Sequence, residues 1–434
     1  MDNARDALPP ARDLDRPSRC AGRQPSAPRC REAGRPVSAA AAARPRVQTT
    51  IALLSGAAFF SGAALRVCDS LLPRLAQDFA RTPGAAGRVI IGFSIAYGLM
   101  QLLFGPLGDR YGKARMVTLA LFGCIGGSLA SALAPGFDAL VGARVAWGMA
   151  AAGVIPLSMA WIGDAVPYER RQATLAQLLT GTLAGMMAGQ LAGGLFADSR
   201  LGWRGAFFSL AAGYTVIAIL LALRVRQLPP PAPHGGARVA FAAQLRSVLH
   251  VPWARVVLAA VTAEGVFLLG PMAYLPAYLH QRHGLSLSAA SALIALYAVG
   301  GLVYAVTARH IVRRFGERRM ALWGGALMGA GFLALLAVPW WGLAGPAALL
   351  VGFGTYLYHN TLQTHATQMV PAVRGTAVAT FAFCLFVGQA IGVTAAGAVF
   401  DHLGHVPLLL APGLALPLAG WWFARALRRH HEQP

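Results

Sequence analysis

Long apolar runs separated by short polar turns recur from about residue 49 to residue 425. Their limits fall near 49–72, 88–108, 115–134, 138–162, 173–196 and 205–224, then 253–279, 288–308, 319–338, 343–367, 374–399 and 405–425. Each approaches the ~20 residues that an α-helix needs to cross a bilayer core of about 30 Å. A β-barrel would alternate in segments of about ten residues, and these runs do not. The pattern predicts an all-α membrane protein of twelve transmembrane helices. Residues 1–47, rich in Arg, Pro and Ala without periodicity, read as a disordered basic tail. They lack the apolar stretch of about 7–15 residues found in a signal peptide. They are either a solvated cytoplasmic arm or the product of a mis-assigned start codon. Residues 225–252 form the longest internal polar stretch, with Pro229, Pro230, Pro231, Gly235, Gly236 and several arginines, and read as a linker. Residues 48–224 and 253–425 then make two six-helix halves, with 426–434 as a second tail.

An internal repeat supports that division. Gly316 follows Gly112 by 204 residues, and the same interval separates Pro371 from Pro167, Arg374 from Arg170, Gly397 from Gly193 and Phe400 from Phe196. The sequence Arg-aromatic-Gly closes the turn after the second span of each half, as Arg110-Tyr111-Gly112 and Arg314-Phe315-Gly316. One offset across three regions predicts two halves in the same orientation, related by an axis along the membrane normal.

Composition agrees. The 434 residues are 56% hydrophobic and 12% charged, with a mean hydropathy of +0.54, where a soluble protein carries roughly 25% charged residues. The net charge of +21 does not indicate nucleic-acid binding, because the cations sit in turns and tails. With the N-terminus cytoplasmic, 29 of the 37 Arg and Lys residues fall on the cytoplasmic side and six on the other, with Arg66 and Arg144 inside spans. Both termini are therefore expected in the cytoplasm. Cys20, Cys30, Cys68, Cys124 and Cys384 show no metal-ligand spacing, and those in helices read as small core residues.

The turn after the second span, Gly105-x-Leu107-Gly108-Asp109-Arg110-x-Gly112-Lys113, holds three of the few charges in this region. It resembles the signature between helices 2 and 3 of the major facilitator superfamily. Arg144, continuing to Gly148, Gly153 and Pro156, is similar to the helix 4 motif of proton-coupled members. Gly181, Gly185, Gly189, Gly193 and Gly194 resemble the glycine-rich motif of drug–proton antiporters, with Gln190 where that motif has proline. The start Arg66-Val-Cys-Asp69 through Pro73 points to the twelve-helix efflux group. The resemblance covers residues 49–425.

It implies that Asp109 faces the positive N-terminus of helix 11 in the other half. It also implies that Lys113 pairs with an acid at the end of helix 4, where Asp164 and Glu169 are available. Such contacts would hold the halves together on the cytoplasmic side and release as the carrier turns inward. The plainer alternative is a charged loop that only sets topology.

Arg66, Asp69, Arg144 and Glu264 lie within spans. A charge at mid-membrane costs about 2.5 kcal/mol or more, so each is expected to face a cavity and have a partner. Asp69 and Glu264 are rival proton carriers. Arg66, three residues from Asp69, is expected to govern the carboxylate, and Arg144 to govern that carboxylate or an anionic substrate, or else to form a buried structural pair. Tyr356, His359, Asn360 and Gln363 make one wall of the tenth span polar and, with Tyr97 and Gln101, are candidate substrate contacts. The helix 5 glycines are expected to pack closely against a neighbour. No ATP-binding, hydrolase or metal motif appears. The expectation is a secondary transporter of the cytoplasmic (inner) membrane, monomeric by default. It would export small organic compounds against the proton gradient without a cofactor. A sugar or organic-acid symporter is the alternative, and a non-transporting membrane receptor a more distant one.

Overall fold

The computed structural model describes residues 37–227, 241–337 and 340–432. Two units part between Arg44 and Pro45. Of the first, residues 37–44 are described and are helical. The alanine run Ala39–Ala43, the best helix former, lies within the stretch that composition alone assigns to a disordered tail. Cys20, Cys30 and the prolines of the linker fall outside the described residues.

The second unit is helical throughout, with no strand among the described residues. Its first half runs α1 (Val47–Asp78), α2 (Arg88–Tyr111), α3 (Lys113–Ala132), α4 (Phe137–Ala165), α5 (Tyr168–Asp198) and α6 (Gly202–Val225). Its second begins with α7 (Pro252–His283) and a 51-residue run, Leu287–Ala337, broken at Gly316 into α8 (287–315) and α9 (317–337). It ends with α10 (Ala344–Gln368), α11 (Arg374–His402) and α12 (His405–Glu432). Each lies over an apolar run read from the sequence. Among the described residues, nine stretches have both the length and the hydropathy to cross a membrane. The glycine-rich α5 and the polar α10 do not reach that hydropathy.

Proline and glycine place the breaks. Pro156 has no N–H for the carbonyl of Ala152, and α4 turns irregularly at Ala152 and Gly153. Pro271 likewise leaves Phe267 without a donor, and Gly265–Leu269 widen into a π-helical turn. Gly112 and Gly316 stand at φ of +91° and +67°. Only glycine enters that region without strain, so the repeated glycine marks the same reversal in each half. These two turns define one face of the bundle, called here the turn face. The opposite, or cap, face carries the α1–α2, α5–α6, α7–α8 and α11–α12 connections.

Two large apolar clusters form the interior. One is built from residues 51–225 and reaches the second half through a few residues that include Tyr274, Phe386 and Val393. The other lies within 248–427. Lipid offers no hydrophobic force to press helices together, so close packing depends on small side chains. A Cβ on Gly185, Gly189 or Gly193 would collide with the carbonyls of Phe59, Ala63 and Val67, and one on Gly181 would lie 2.9 Å from that of Ser55. The stripe therefore seats α5 directly on the backbone of α1. Gly388 and Gly392 do the same for α11 against Thr262 and Val266 of α7.

Three hydrogen bonds between described residues join the halves at the cap face. The Gly84 amide donates to Asp401 Oδ1 at 3.0 Å. Asp198 accepts from the amides of Leu287 at 3.2 Å and Ser288 at 2.7 Å. At the level of Gly98, Tyr97 and Phe386 meet with ring centroids 4.5 Å apart. Nearer the turn face, a Cβ on Gly105 would find nothing within 4 Å. Toward that face no hydrogen bond joins the halves among the described residues. A short amphipathic helix, Phe241–His250, within the expected linker, is tied to α11 by Thr376 Oγ1 donating to Gln244 Oε1 at 2.6 Å.

Candidate functional site

The interior of the seam holds two ionic centres, one per half. In the first, Arg66 and Asp69 lie three residues apart on α1, so their side chains share a face. Arg66 Nη1 donates to Asp69 Oδ2 at 3.2 Å, and both groups are buried. Asp69 Oδ1 has no hydrogen-bond partner. Arg144, on α4, is close enough for its charge to act on Asp69, yet its hydrogen bonds go elsewhere. Nη2 and Nε donate to the carbonyls of Ala64 at 3.3 Å and Val89 at 3.4 Å. Its guanidinium lies 4.1 Å from the ring centroid of Phe93 and 4.8 Å from that of Trp147. An arginine sandwiched between rings gains cation–π attraction that offsets part of its desolvation. Its Nη1 is left without an acceptor. Arg144 is therefore held by backbone carbonyls and aromatic faces and acts on Asp69 through its charge alone.

In the second centre, Glu264 is 1% exposed on α7, immediately before the π-helical turn. His359 Nδ1, from α10, approaches its two carboxylate oxygens at 3.1 and 3.0 Å. Next to this pair runs a ladder of rings from α8 and α10. Tyr297 and Tyr356 are 6.5 Å apart, and Tyr356 and Tyr304 are 6.4 Å apart. Asn360 Nδ2 donates to Tyr304 Oη at 2.7 Å. Arg66 reaches across the seam to within 5.8 Å of the Tyr297 ring, which brings the two centres to one region.

The polar wall of α10 is half-buried at Tyr356, His359, Asn360, Gln363, Thr364 and Thr367, while the intervening residues are buried. Those positions follow a helical repeat, as one face of α10 bordering an accessible space requires. Tyr97 is buried in the seam between Phe93 and Phe386, and Gln101, one turn on, is half-buried.

The turn after α2 behaves as a local cluster. Lys113 Nζ bridges Asp164 and, at 3.6 Å, Asp109, so α2, α3 and α4 are tied within one half. Asp164 fills the role for which Glu169 was the other candidate. The expected contact of Asp109 with α11 is not made among the described residues, and Asp109 is 58% exposed. Gly108 packs on Leu157 of α4, and Arg110 lies over the ring of Tyr111.

The comparisons with known proteins agree with this architecture. The Major Facilitator Superfamily profile matches residues 54–393, with a further match to 283–434. The chain belongs to the Major Facilitator Superfamily. It is similar to an uncharacterized MFS-type transporter of Bacillus subtilis, 23% identical over 80% of this chain and 88% of that protein. A probable transporter of Streptomyces coelicolor is 28% identical over 82% of each chain. The 3-(3-hydroxy-phenyl)propionate transporter of Escherichia coli is 30% identical over 44% of this chain and 46% of its own. The crystal structure of a D-xylose-proton symporter shares the fold, with a TM-score of 0.71 at 16% identity over 87% of this chain and 97% of that one. This MFS protein is a multi-pass membrane transporter and not an enzyme.

Sequence reasoning overlooked several residues that this MFS fold uses, in its interior and at its cap face. Tyr297 and Tyr304 are ordinary aromatics in an apolar run and carry no signal of their own. Asp198 and Asp401 did carry one, since each is a lone acid at the cap-face end of an apolar helix, one in each half.

Proposed function

We infer that this transporter exports small organic compounds in exchange for protons, by alternating access between two six-helix halves that together cross the membrane twelve times. The observation that supports it best is a shared placement. In each half an acid on the first helix lies near a base on the fourth, Asp69 near Arg144 and Glu264 against His359. A buried acid held by a nearby base has a defined charge state while sealed, and can exchange a proton when water or a substrate separates the two. Substrate would bind between the centres, against Tyr356, His359, Asn360 and Gln363. The halves correspond to residues 48–224 and 253–425. The turn face, richer in arginine, is the cytoplasmic one. The Asp109 turn would act as a cytoplasmic latch, engaging α11 when the cytoplasmic side is closed and releasing it when that side opens. The bacterial relatives support an inner-membrane location. The protein works as a monomer, and the proton gradient is its energy source.

A second reading, proton-linked transport of an organic acid, is favoured by the two buried arginines and by the Escherichia coli relative. Both readings are tested in inverted vesicles with an imposed pH gradient and a panel of small organic cations and aromatic carboxylates. Export coupling requires that a substrate dissipate the gradient in the wild type and that Asp69→Asn and Glu264→Gln abolish the effect. Wild-type behaviour in both variants removes the assignment. Dissipation by carboxylates alone, lost in Arg66→Gln, selects the second reading.

A further inference from the structure

We propose that the groove between the start of α7 and the end of α12 is a binding site for one anionic phospholipid. The groove has a volume of about 510 Å³ and combines an apolar wall with a cationic rim. Val251, Val256, Trp422 and Ala426 supply the wall. Arg425 and Arg429, one helical turn apart and therefore on one face of α12, supply the rim.

Three observations select the occupant. Trp421 and Trp422 are 51% and 42% exposed, and exposed tryptophans at a helix end mark the level of the lipid headgroups. Arg425 and Arg429 lie one and two turns beyond them, at phosphate depth. The only acid of α12, Glu432, pairs with Arg428 at 3.8 Å, so among the described residues the two rim arginines have no carboxylate partner. Stacked rings form the floor. The His430 ring lies flat on Trp253 with centroids 4.1 Å apart and planes 5° apart, and Trp253 is stacked in turn on Phe423. A ligand with a phosphate for the arginines and an acyl chain for the wall fits this division, and basic pockets between helices are known to take anionic headgroups. A free anion would leave the wall unused.

The site is tested by native mass spectrometry of the full chain, released from nanodiscs of phosphatidylcholine with a small fraction of phosphatidylglycerol or cardiolipin. The wild type should retain the anionic lipid selectively. One arginine near the surface contributes about fivefold in affinity. Arg425→Gln or Arg429→Gln should therefore lower retention about fivefold, and the double variant by roughly thirtyfold. Arg428→Gln, which removes a paired charge of equal size, should leave retention unchanged. All these residues are exposed, so thermal unfolding should match wild type. The proposal is overturned if the double variant retains lipid as wild type does, if Arg428→Gln loses as much, or if phosphatidylcholine is retained equally. Displacement by excess inorganic phosphate would also overturn it, by making this a free-anion site.

Discussion

Asp401 Oδ1 accepts a hydrogen bond from the backbone amide of Gly84 at 3.0 Å, joining the end of α11 to the entrance of α2. Asp198, at the end of α5, makes the corresponding junction with the first amides of α8. In each case a carboxylate from one half satisfies amides that begin a helix of the other, where the helix dipole favours negative charge. A hydrogen bond to a charged group contributes about 1.5–3 kcal/mol. Asp198→Ala and Asp401→Ala should therefore each shift the conformational balance toward opening at the cap face by tenfold or more. Spin-label distances across that face would record the shift, and unchanged distance distributions in the double variant would remove these acids from the gate.

Arg144 and Asp69 interact by charge without a hydrogen bond between them. Removing either alone leaves the other buried and less compensated, so the effects should not add. Asp69→Asn combined with Arg144→Gln should be at least ~1 kcal/mol more stable than the sum of the single losses. Thermal unfolding in detergent gives the cycle. Strict additivity would show that the two charges are independent.

Close seating of α5 on α1 makes a sharp pair of outcomes. Gly185→Ala puts a methyl group into the carbonyl of Phe59, whereas a Cβ at Gly126 meets nothing within 4 Å. The first should cost about 1–3 kcal/mol through overpacking. The second should be neutral or slightly stabilising. Equal melting temperatures would contradict the interlock.

Gly316 combines φ of +67° with ψ of +166°, a conformation essentially restricted to glycine. Gly316→Ala should cost about 1–3 kcal/mol, although a Cβ there meets no neighbour. Gly375→Ala, equally uncrowded and inside a helix, is the control. A loss in both variants would point to something other than backbone strain.

Most helices were legible because their runs are long and apolar and are separated by short turns that are charged or rich in proline and glycine. The Gly112 and Gly316 reversals were legible because the same glycine recurs at one offset. The ionisable residues of the interior stood out because a charge in an apolar run is costly. Their partners did not. Glu264 and His359 are 95 residues apart, and nothing local to either announces the other. The carbonyls of Ala64 and Val89 that hold Arg144 come from two other helices, and nothing in its own segment announces them. The pairing of Asp109 depends on which way the halves are tilted, which is a property of the whole bundle. The helix Phe241–His250 was hidden by the proline- and glycine-rich stretch before it.

The polarity of α10 has a consequence for how the protein is made. Insertion machinery releases a segment into lipid according to its hydrophobicity, and α10 falls below the level that the crossings flanking it reach. Its polar side chains find partners on three other helices, His359 with Glu264 of α7, Asn360 with Tyr304 of α8 and His365 with Glu317 of α9. Alone in hydrocarbon it would face unpaired polar groups on one whole side. Biogenesis of the second half must therefore be cooperative, with α7, α8 and α9 waiting beside the translocation channel to receive α10 before it meets lipid.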